Sequence, residues 1–155
     1  MADQTESQKA LVGSVAEKVG RWLAELAGSY QVGPDGFPTI QFGSARVFVK
    51  TEPWGSEKCI VRIWSILVYG VTKSPELNEW IAYNGSSFYF GSMQLHTLKD
   101  DEALANISLE HCILGDFIDP GELREAVMAI TVTSDEKDTE LQESFGGTLA
   151  HEDTE

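Results

Sequence analysis

The chain has 155 residues, of which 42% are hydrophobic and 23% charged, a composition typical of one globular domain rather than of a disordered segment. The formal net charge is −14, and it is unevenly distributed. Residues 1–99 carry nine acidic and nine basic side chains, whereas residues 100–155 carry sixteen acidic and two basic ones. Because proteins that bind nucleic acid or anionic membranes need clustered Lys and Arg, this balance argues against both classes.

Neither a targeting signal nor a membrane helix is evident. No apolar run approaches the roughly 20 residues of a membrane helix, and the polar, acidic N-terminus lacks the pattern of a secretion signal. We therefore expect a cytoplasmic protein in which Cys59 and Cys112 are reduced, buried thiols. A disulfide between these two cysteines is the less favoured alternative.

Three helices are predicted from periodicity and capping residues. Apolar side chains recur three and four positions apart over residues 5–30, which is typical of an amphipathic helix, and Thr5 followed by Gln8 fits a capping box at its start. Ser74 and Asp119 are each followed by proline, which predicts the N-caps of a second and a third helix. Because a glycine pair ends the third helix, residues 1–147 are interpreted as one domain and residues 148–155 as a disordered acidic tail.

Five strands are predicted between these helices, and the turn residues that separate them indicate hairpins. The resulting order, α-βββ-α-ββ-α, favours an α+β fold with two layers, in which helices pack on a five-stranded antiparallel sheet. The segment 59–71 is apolar at both odd and even positions, so it is expected to be a central strand with apolar contacts on both faces. The strands are predicted over residues 39–42, 45–51, 59–71, 87–98 and 103–114.

No catalytic or metal-binding constellation is found, and we expect no enzymatic activity, no cofactor and no metal ion. His111 and Cys112 are adjacent on a predicted strand, so their side chains point to opposite faces and do not form a dyad. The acidic run 100–102 lacks the spacing of a calcium loop. An enzyme would require the fold to bring His96 or His111 within hydrogen-bond distance of a nucleophile inside a pocket.

Excess apolar surface indicates a binding face for a protein or peptide. In the central strands, Phe48, Trp64, Ile66 and Val68 share a parity with basic residues, and we expect this to be the less covered face of the sheet. The alternative is that the last helix folds across this face and buries it. Arg46 and Arg62 are expected to orient a partner by pairing with its carboxylates. The apolar contacts are expected from Phe42, Phe48, Trp54, Trp64 and Ile66.

The order of elements, with a long amphipathic first helix and a Ser-Pro cap on the middle helix, resembles the class I type III secretion chaperones and the related YbjN domains. The stretch from Asp119-Pro-Gly-Glu-Leu to Phe145-Gly-Gly resembles the actinobacterial members, whose last helix ends in an acidic segment and Phe-Gly-Gly. The resemblance covers residues 8–147. It implies a five-stranded antiparallel sheet, a homodimer, and binding of extended or non-native peptide segments on apolar surface without catalysis.

Two hypotheses about function follow. The first is a non-catalytic, dimeric peptide-binding chaperone or adaptor that holds an extended partner segment on the apolar sheet surface, with strand addition to a free edge as one docking mode. The second is an obligate homo- or hetero-oligomeric structural or regulatory subunit without a client peptide, in which the same face is permanently covered. In either case the acidic last third is expected to maintain solubility while the neutral, aromatic-rich part binds.

Overall fold

The computed structural model describes residues 4–28 and 30–150, and the three predicted helices and five predicted strands all form within them. The α+β class and the order of these elements are confirmed. A 3₁₀ turn at Gly115–Phe117 precedes the last helix. In chain order the elements are α1 (Glu6–Ala27), β1 (Gln31–Val32), β2 (Pro38–Phe42), β3 (Ala45–Trp54), β4 (Lys58–Thr72), α2 (Pro75–Asn84), β5 (Ser92–Thr97), β6 (Leu104–Leu114), α3 (Pro120–Phe145) and β7 (Thr148–Leu149).

Each helix begins at a residue whose side chain caps it. Thr5, Ser74 and Asp119 each accept a hydrogen bond from the backbone N–H three residues further on, at 2.8–3.1 Å. These bonds satisfy N–H groups that have no partner within the helix, which fixes the first residue of each helix. The helix starts predicted from the sequence are confirmed at all three positions.

The side chain of Gln8 does not complete the reciprocal capping box that the sequence predicts. Its amide Nε2 donates instead to the backbone carbonyls of Trp54 (3.4 Å), Gly55 (3.1 Å) and Lys58 (2.9 Å). Gln8 is buried, and these bonds satisfy its buried amide. The first turn of α1 is thereby tied to the turn between β3 and β4.

The sheet is antiparallel throughout and has the strand order β1-β2-β3-β4-β6-β5, with β7 paired to β4 beyond this path. The central position predicted for the segment 59–71 is confirmed by β4, which lies between β3 and β6. Within residues 4–28 and 30–150 the sheet has seven strands rather than five. The two additional strands, β1 and β7, are each two residues long, too short to show an alternating pattern.

Both long helices pack on one face of the sheet. The side chains that α1 and α3 bury form a single apolar cluster with the inward side chains of β3 and β4, which excludes water from this layer. The alternative in which α3 crosses the opposite face is therefore wrong for the single chain. The most deeply buried members of the cluster include Val19, Leu23, Val47, Val49, Val61, Ile63, Leu123 and Ile130.

The prediction that Val68 shares the uncovered face with Trp64 and Ile66 is wrong. The register between β4 and β6 shifts between Ile66 and Val68, so that one extra residue of β4 is accommodated in a β-bulge. Because successive side chains of a strand point to opposite faces, one extra residue reverses the parity that follows. Val68 lies opposite Ile107, and both side chains are completely buried in the core.

The residues that directly follow α3 do not form a tail. Thr148 and Leu149 pair with Tyr69 and Val68 of β4, and Leu149 and Ala150 are buried. Gly147 has φ 88°, and a Cβ atom there would lie 2.6 Å from the carbonyl oxygen of Tyr69. Only glycine fits this close approach, so the glycine pair turns the chain onto β4. The predicted disordered tail is therefore wrong for residues 148–150, and residues 151–155 lie outside the described residues.

We expect truncation after Gly147 to lower the free energy of unfolding by about 2–4 kcal/mol relative to truncation after Ala150, because it removes the buried side chain of Leu149 and the pairing of β7. Urea unfolding monitored by circular dichroism measures the difference. Both truncated proteins lack residues 151–155, so the comparison isolates β7. Equal unfolding midpoints for the two proteins would contradict the role assigned to this strand.

Candidate functional site

The sheet face opposite α1 and α3, called here the outer face, brings together five of the seven predicted contact residues. The register places Phe48 opposite Trp64, and Lys50 opposite Arg62. Ile66 follows on β4 and Arg46 on β3, with the same parity. Each of the five predicted residues is half-buried, and the residues between them point into the core. The sequence-based expectation that this parity forms the less covered face holds up to Ile66.

Three aromatic rings form a cluster on the outer face, called here the aromatic platform. Phe48 and Trp64 are stacked, with centroids 5.3 Å apart and planes 20° apart. Phe37 closes the cluster, with its centroid 5.3 Å from that of Trp64 and 6.3 Å from that of Phe48. Each such pair contributes about 0.5–1.5 kcal/mol beyond the burial of area, so the rings are held in place before any partner arrives.

Arg62 supports the platform rather than standing free. Its guanidinium carbon lies 4.8 Å from the ring centroid of Trp64, a cation–π contact. Its Nε and Nη2 both donate to Oε2 of Glu110, at 3.2 and 2.9 Å. Because these donors are already used within the chain, we assign Arg62 to positioning Trp64 instead of to orienting a partner's carboxylate.

Glu110 is the buried centre of a polar network beside the platform. Its Oε1 accepts hydrogen bonds from Ser108 Oγ at 2.7 Å and from His96 Nε2 at 2.5 Å, while Oε2 accepts from Arg62. Burial alone would raise the pKa of Glu110. The hydrogen bonds of Ser108, His96 and Arg62, together with the charge of Arg62, outweigh burial and lower the pKa. The network borders a depression of about 190 Å³ that also contacts Ile66.

The network brings His96 within reach of a hydroxyl in a depression, which was the condition set for an enzyme, but its arrangement is not that of a catalytic relay. In a relay, serine donates to one histidine nitrogen and the acid accepts from the other. Here His96 Nε2 contacts both Ser108 Oγ (3.0 Å) and Glu110, and Ser108 itself donates to Glu110. Ser108 is also only 1% exposed, so its oxygen does not reach a substrate.

Two predicted contact residues do not join the aromatic platform. Phe42 follows Ile40 with the same parity, so its ring lies on the helix side, where it borders a cavity of about 260 Å³ with Leu26 and Val127. Trp54 ends β3, six residues from Phe48, which corresponds to roughly 20 Å along an extended strand. Both rings are more than half exposed.

The cysteines differ from the expectation that both are buried. Cys59 is completely buried and donates its backbone N–H to the carboxylate of Asp116 at 3.0 Å, whereas Cys112 is exposed on the outer face opposite Arg62. Both thiols are free, so the disulfide alternative is wrong. Burial raises the pKa of both thiols. His111 is structural, since its Nδ1 accepts the backbone N–H of Gly91 at 3.2 Å, and burial lowers its pKa.

A second apolar surface lies in the segment 87–91, which the sequence assigns to a strand and which the structure shows as a loop before β5. Phe88, Tyr89 and Phe90 follow one another in this loop, called here the aromatic loop. Tyr89 is fully exposed, and the loop borders a cavity of about 300 Å³ against α3. The loop ends at Gly91, which has φ 83°. Pairing with β6 begins at the next residue, Ser92.

Sequence reasoning missed Phe37, Ser108 and Glu110, and it named His96 only as a residue that an enzyme would need. Phe37 lies in a loop, where no periodicity marks the side that a ring faces. Glu110 carried a usable signal, because it is the one acidic residue of β6. Its role required the register that places it opposite Trp64, and no hairpin turn fixes that register, because α2 and β5 separate β4 from β6 in the chain.

In the part of the chain that the structure describes, no helix is both long and apolar enough to span a lipid bilayer, and His, Cys, Asp and Glu side chains nowhere group in threes able to hold a metal ion.

The chain forms an α+β domain with an aromatic sheet face that neither long helix covers. Comparisons with known proteins assign this domain to a family. Residues 13–153 match the family described as T3SS (YopN, CesT) and YbjN peptide-binding chaperone 1, so the chain belongs to this family. A comparison with curated proteins finds no match.

Two solved structures share the fold. The crystal structure of YbjN from E. coli is similar with a TM-score of 0.54 and 10% sequence identity, covering 80% of this chain and 91% of that one. A chain of the ExsC–ExsE complex is similar with a TM-score of 0.54 and 17% identity, covering 80% of this chain and 93% of that one. At these identities the likeness shows the fold alone.

We expect the substitution Glu110→Gln to destabilise the protein by about 1–3 kcal/mol at neutral pH, because Arg62 loses a charged partner. Since folding lowers the pKa of Glu110, its charged form stabilises the fold above the unfolded-state pKa, and this contribution is lost as the pH falls below the ordinary value of 4.5 and through the folded-state pKa. The difference between wild type and variant is therefore expected to shrink in acid, as measured by urea unfolding over a pH series.

The matched control is Glu136→Gln, which removes the same charge from the exposed side of α3. This control is expected to leave the free energy of unfolding within a few tenths of a kcal/mol of wild type. A destabilisation by Glu110→Gln that is equal at every pH would show that the carboxylate does not stabilise through its charge.

Proposed function

We propose that this protein is a non-catalytic peptide-binding chaperone or adaptor that holds an extended segment of a partner protein on the outer face. The observation that carries the proposal is the aromatic platform, a stacked cluster on the sheet face opposite both long helices. Membership of a peptide-binding chaperone family supports the same class of function. Ser108, His96 and Glu110 are hydrogen-bonded in an arrangement that is not a catalytic relay, and this favours binding over catalysis.

The platform is suited to binding because it is organised before a partner arrives. Its three rings contact one another, and Trp64 is also held by Arg62 through the network of Glu110. Few rotamers remain to be lost on binding, so the entropy cost of association is reduced. The half-buried rings present flat apolar surface that accepts side chains of different shapes, as an adaptor for extended segments requires.

Strand addition at the edge of β5 would offer a partner only a short row of free main-chain groups. The backbone N–H of Met93, at the start of this strand, already donates to the carbonyl of Gly85 at 2.7 Å. Because outward-pointing backbone groups alternate along a strand, Leu95 and Thr97 are the next in phase. An added strand would gain only these few main-chain bonds, so we propose the outer face as the principal contact.

We expect Trp64→Ala to weaken binding of a fluorescein-labelled peptide of alternating Phe and Ser by at least about 30-fold, as typical for loss of a central aromatic contact. Phe42→Ala is the matched control, because it removes an aromatic ring from the opposite side of the sheet. Fluorescence polarisation measures the affinity, and circular dichroism verifies that both variants are folded.

Cys112 provides an independent readout, since it is exposed on the outer face while Cys59 is buried. Bound peptide is expected to slow modification of Cys112 by a thiol reagent. Equal loss of affinity in both variants, or a Cys112 that reacts at the same rate with and without peptide, would contradict binding on the outer face.

The second candidate is an obligate homo- or hetero-oligomeric subunit without a client. Both candidates require an oligomer, and the aromatic loop favours one, because Tyr89 is fully exposed there and Tyr83 of α2 is 80% exposed. Side chains of this kind are typical of a surface that a partner covers. We propose that a homodimer forms through the aromatic loop, an arrangement that leaves the outer face free for peptide.

We expect the purified protein to sediment as a dimer and still to bind a hydrophobic dye, with Trp64→Ala reducing the dye signal. Sedimentation equilibrium and dye fluorescence, measured on the same sample, test this. An assembly that binds almost no dye would favour the obligate subunit, because all apolar surfaces would then be sealed. A monomer at every concentration would exclude the dimer.

A further inference from the structure

A polar pocket lies next to the aromatic platform, and most of the side chains that line it can donate hydrogen bonds. It has a volume of about 180 Å³. Its donors are the guanidinium of Arg46, two side-chain amides and the hydroxyl of Thr39, and no carboxylate lines it, although the chain carries 25 acidic residues. The pocket is lined by Tyr30, Gln31, Thr39, Gln41 and Arg46.

Arg46 is the cation of this pocket, and it differs from the other basic residues of the outer face. Lys50 pairs with Glu52 at 3.1 Å, and Arg62 pairs with Glu110 at 2.9 Å. Arg46 has no ion-pair partner among residues 4–28 and 30–150. A half-buried guanidinium surrounded by neutral donors is a site for a carboxylate, which it can bind through two parallel hydrogen bonds.

The pocket and the platform are separated by a distance that an extended peptide reproduces. Arg46 and Phe48 are two residues apart on β3, about 6.6–6.8 Å along the strand. Side chains two residues apart in an extended peptide lie on the same side at the same spacing. A peptide that runs alongside β3 therefore places one side chain over the pocket and the next on that side over the platform.

We propose that the outer face selects extended segments in which an acidic side chain is separated by one residue from an aromatic or large aliphatic one. The carboxylate binds in the Arg46 pocket and the apolar side chain packs on the aromatic platform. This inference rests on the proposed function, because it names the class of peptide that the same face binds.

The net charge of −14 does not prevent this selection. Sixteen of the acidic residues lie in residues 100–155, and α3, which carries many of them, packs on the opposite face of the sheet. At physiological ionic strength the Debye length is about 8 Å, less than the roughly 10 Å between packed layers, so repulsion from that layer is largely screened. The contact with Arg46 is made at hydrogen-bond distance and is screened much less.

Three fluorescein-labelled peptides test the inference. They share one Phe and differ two positions away, where they carry Glu, Gln or Lys. Fluorescence polarisation at about 0.15 M salt is expected to give an affinity for the Glu peptide roughly tenfold above that for the Gln peptide, with the Lys peptide weakest. The variant Arg46→Gln is expected to remove this preference, so that the Glu and Gln peptides bind with equal affinity. Arg124→Gln is the matched control, since it removes the same charge from the helix side.

The outcomes separate this inference from the proposed function. Equal affinity for the three peptides, with binding still lost in Trp64→Ala, would overturn the acidic selection and keep the chaperone function. A preference for Glu that survives in Arg46→Gln would also overturn it. No binding of any peptide would overturn both proposals. Self-association that Trp64→Ala abolishes, without competition from any peptide, would assign the face to a second copy of the chain and overturn the inference as well.

Discussion

The strand β4 is apolar on both of its faces, and the rest of the molecule is organised around this constraint. Its inward side chains, such as Val61 and Ile63, are covered completely by α1 and α3. Its outward side chains, Trp64 and Ile66, are covered only in part, by rings and polar groups from neighbouring strands. One strand thus supplies both the centre of the core and the centre of the outer face, so the stability of the fold and the shape of the outer face are physically linked.

The buried carboxylate of Glu110 connects the outer-face side chains of three strands. A charged group this deeply buried is tolerated only when it is paired, and its partners come from β4, β5 and β6 itself. Because Arg62 both pairs with Glu110 and stacks on Trp64, the charge fixes the orientation of an aromatic ring. Beside this saturated network, Arg46 is left uncompensated, so the two arginines that look equivalent in the sequence differ in what they offer a partner.

Features encoded locally could be predicted from the sequence, whereas features that depend on register could not. Thr5, Ser74 and Asp119 predict the starts of their helices, because a capping side chain binds a backbone N–H only three residues further on. Val68 was misplaced because a bulge leaves no mark on hydrophobic alternation, and Glu110 was missed because its partners are known only once β4, β5 and β6 are aligned. Phe42 was assigned to the wrong side, although its parity with buried Ile40 contained the answer.

The pairing of β7 has a consequence for how copies of this protein behave towards one another. β3 pairs with β4 only as far as Ser65, and beyond that point the same edge of β4 would expose unpaired backbone groups. The chain fills this gap itself, with Leu149 opposite Val68. An open edge on an apolar central strand is a template for intermolecular β-sheet, the first step towards aggregation. Thr148 and Leu149 therefore protect an apolar central strand from pairing with another copy of the chain.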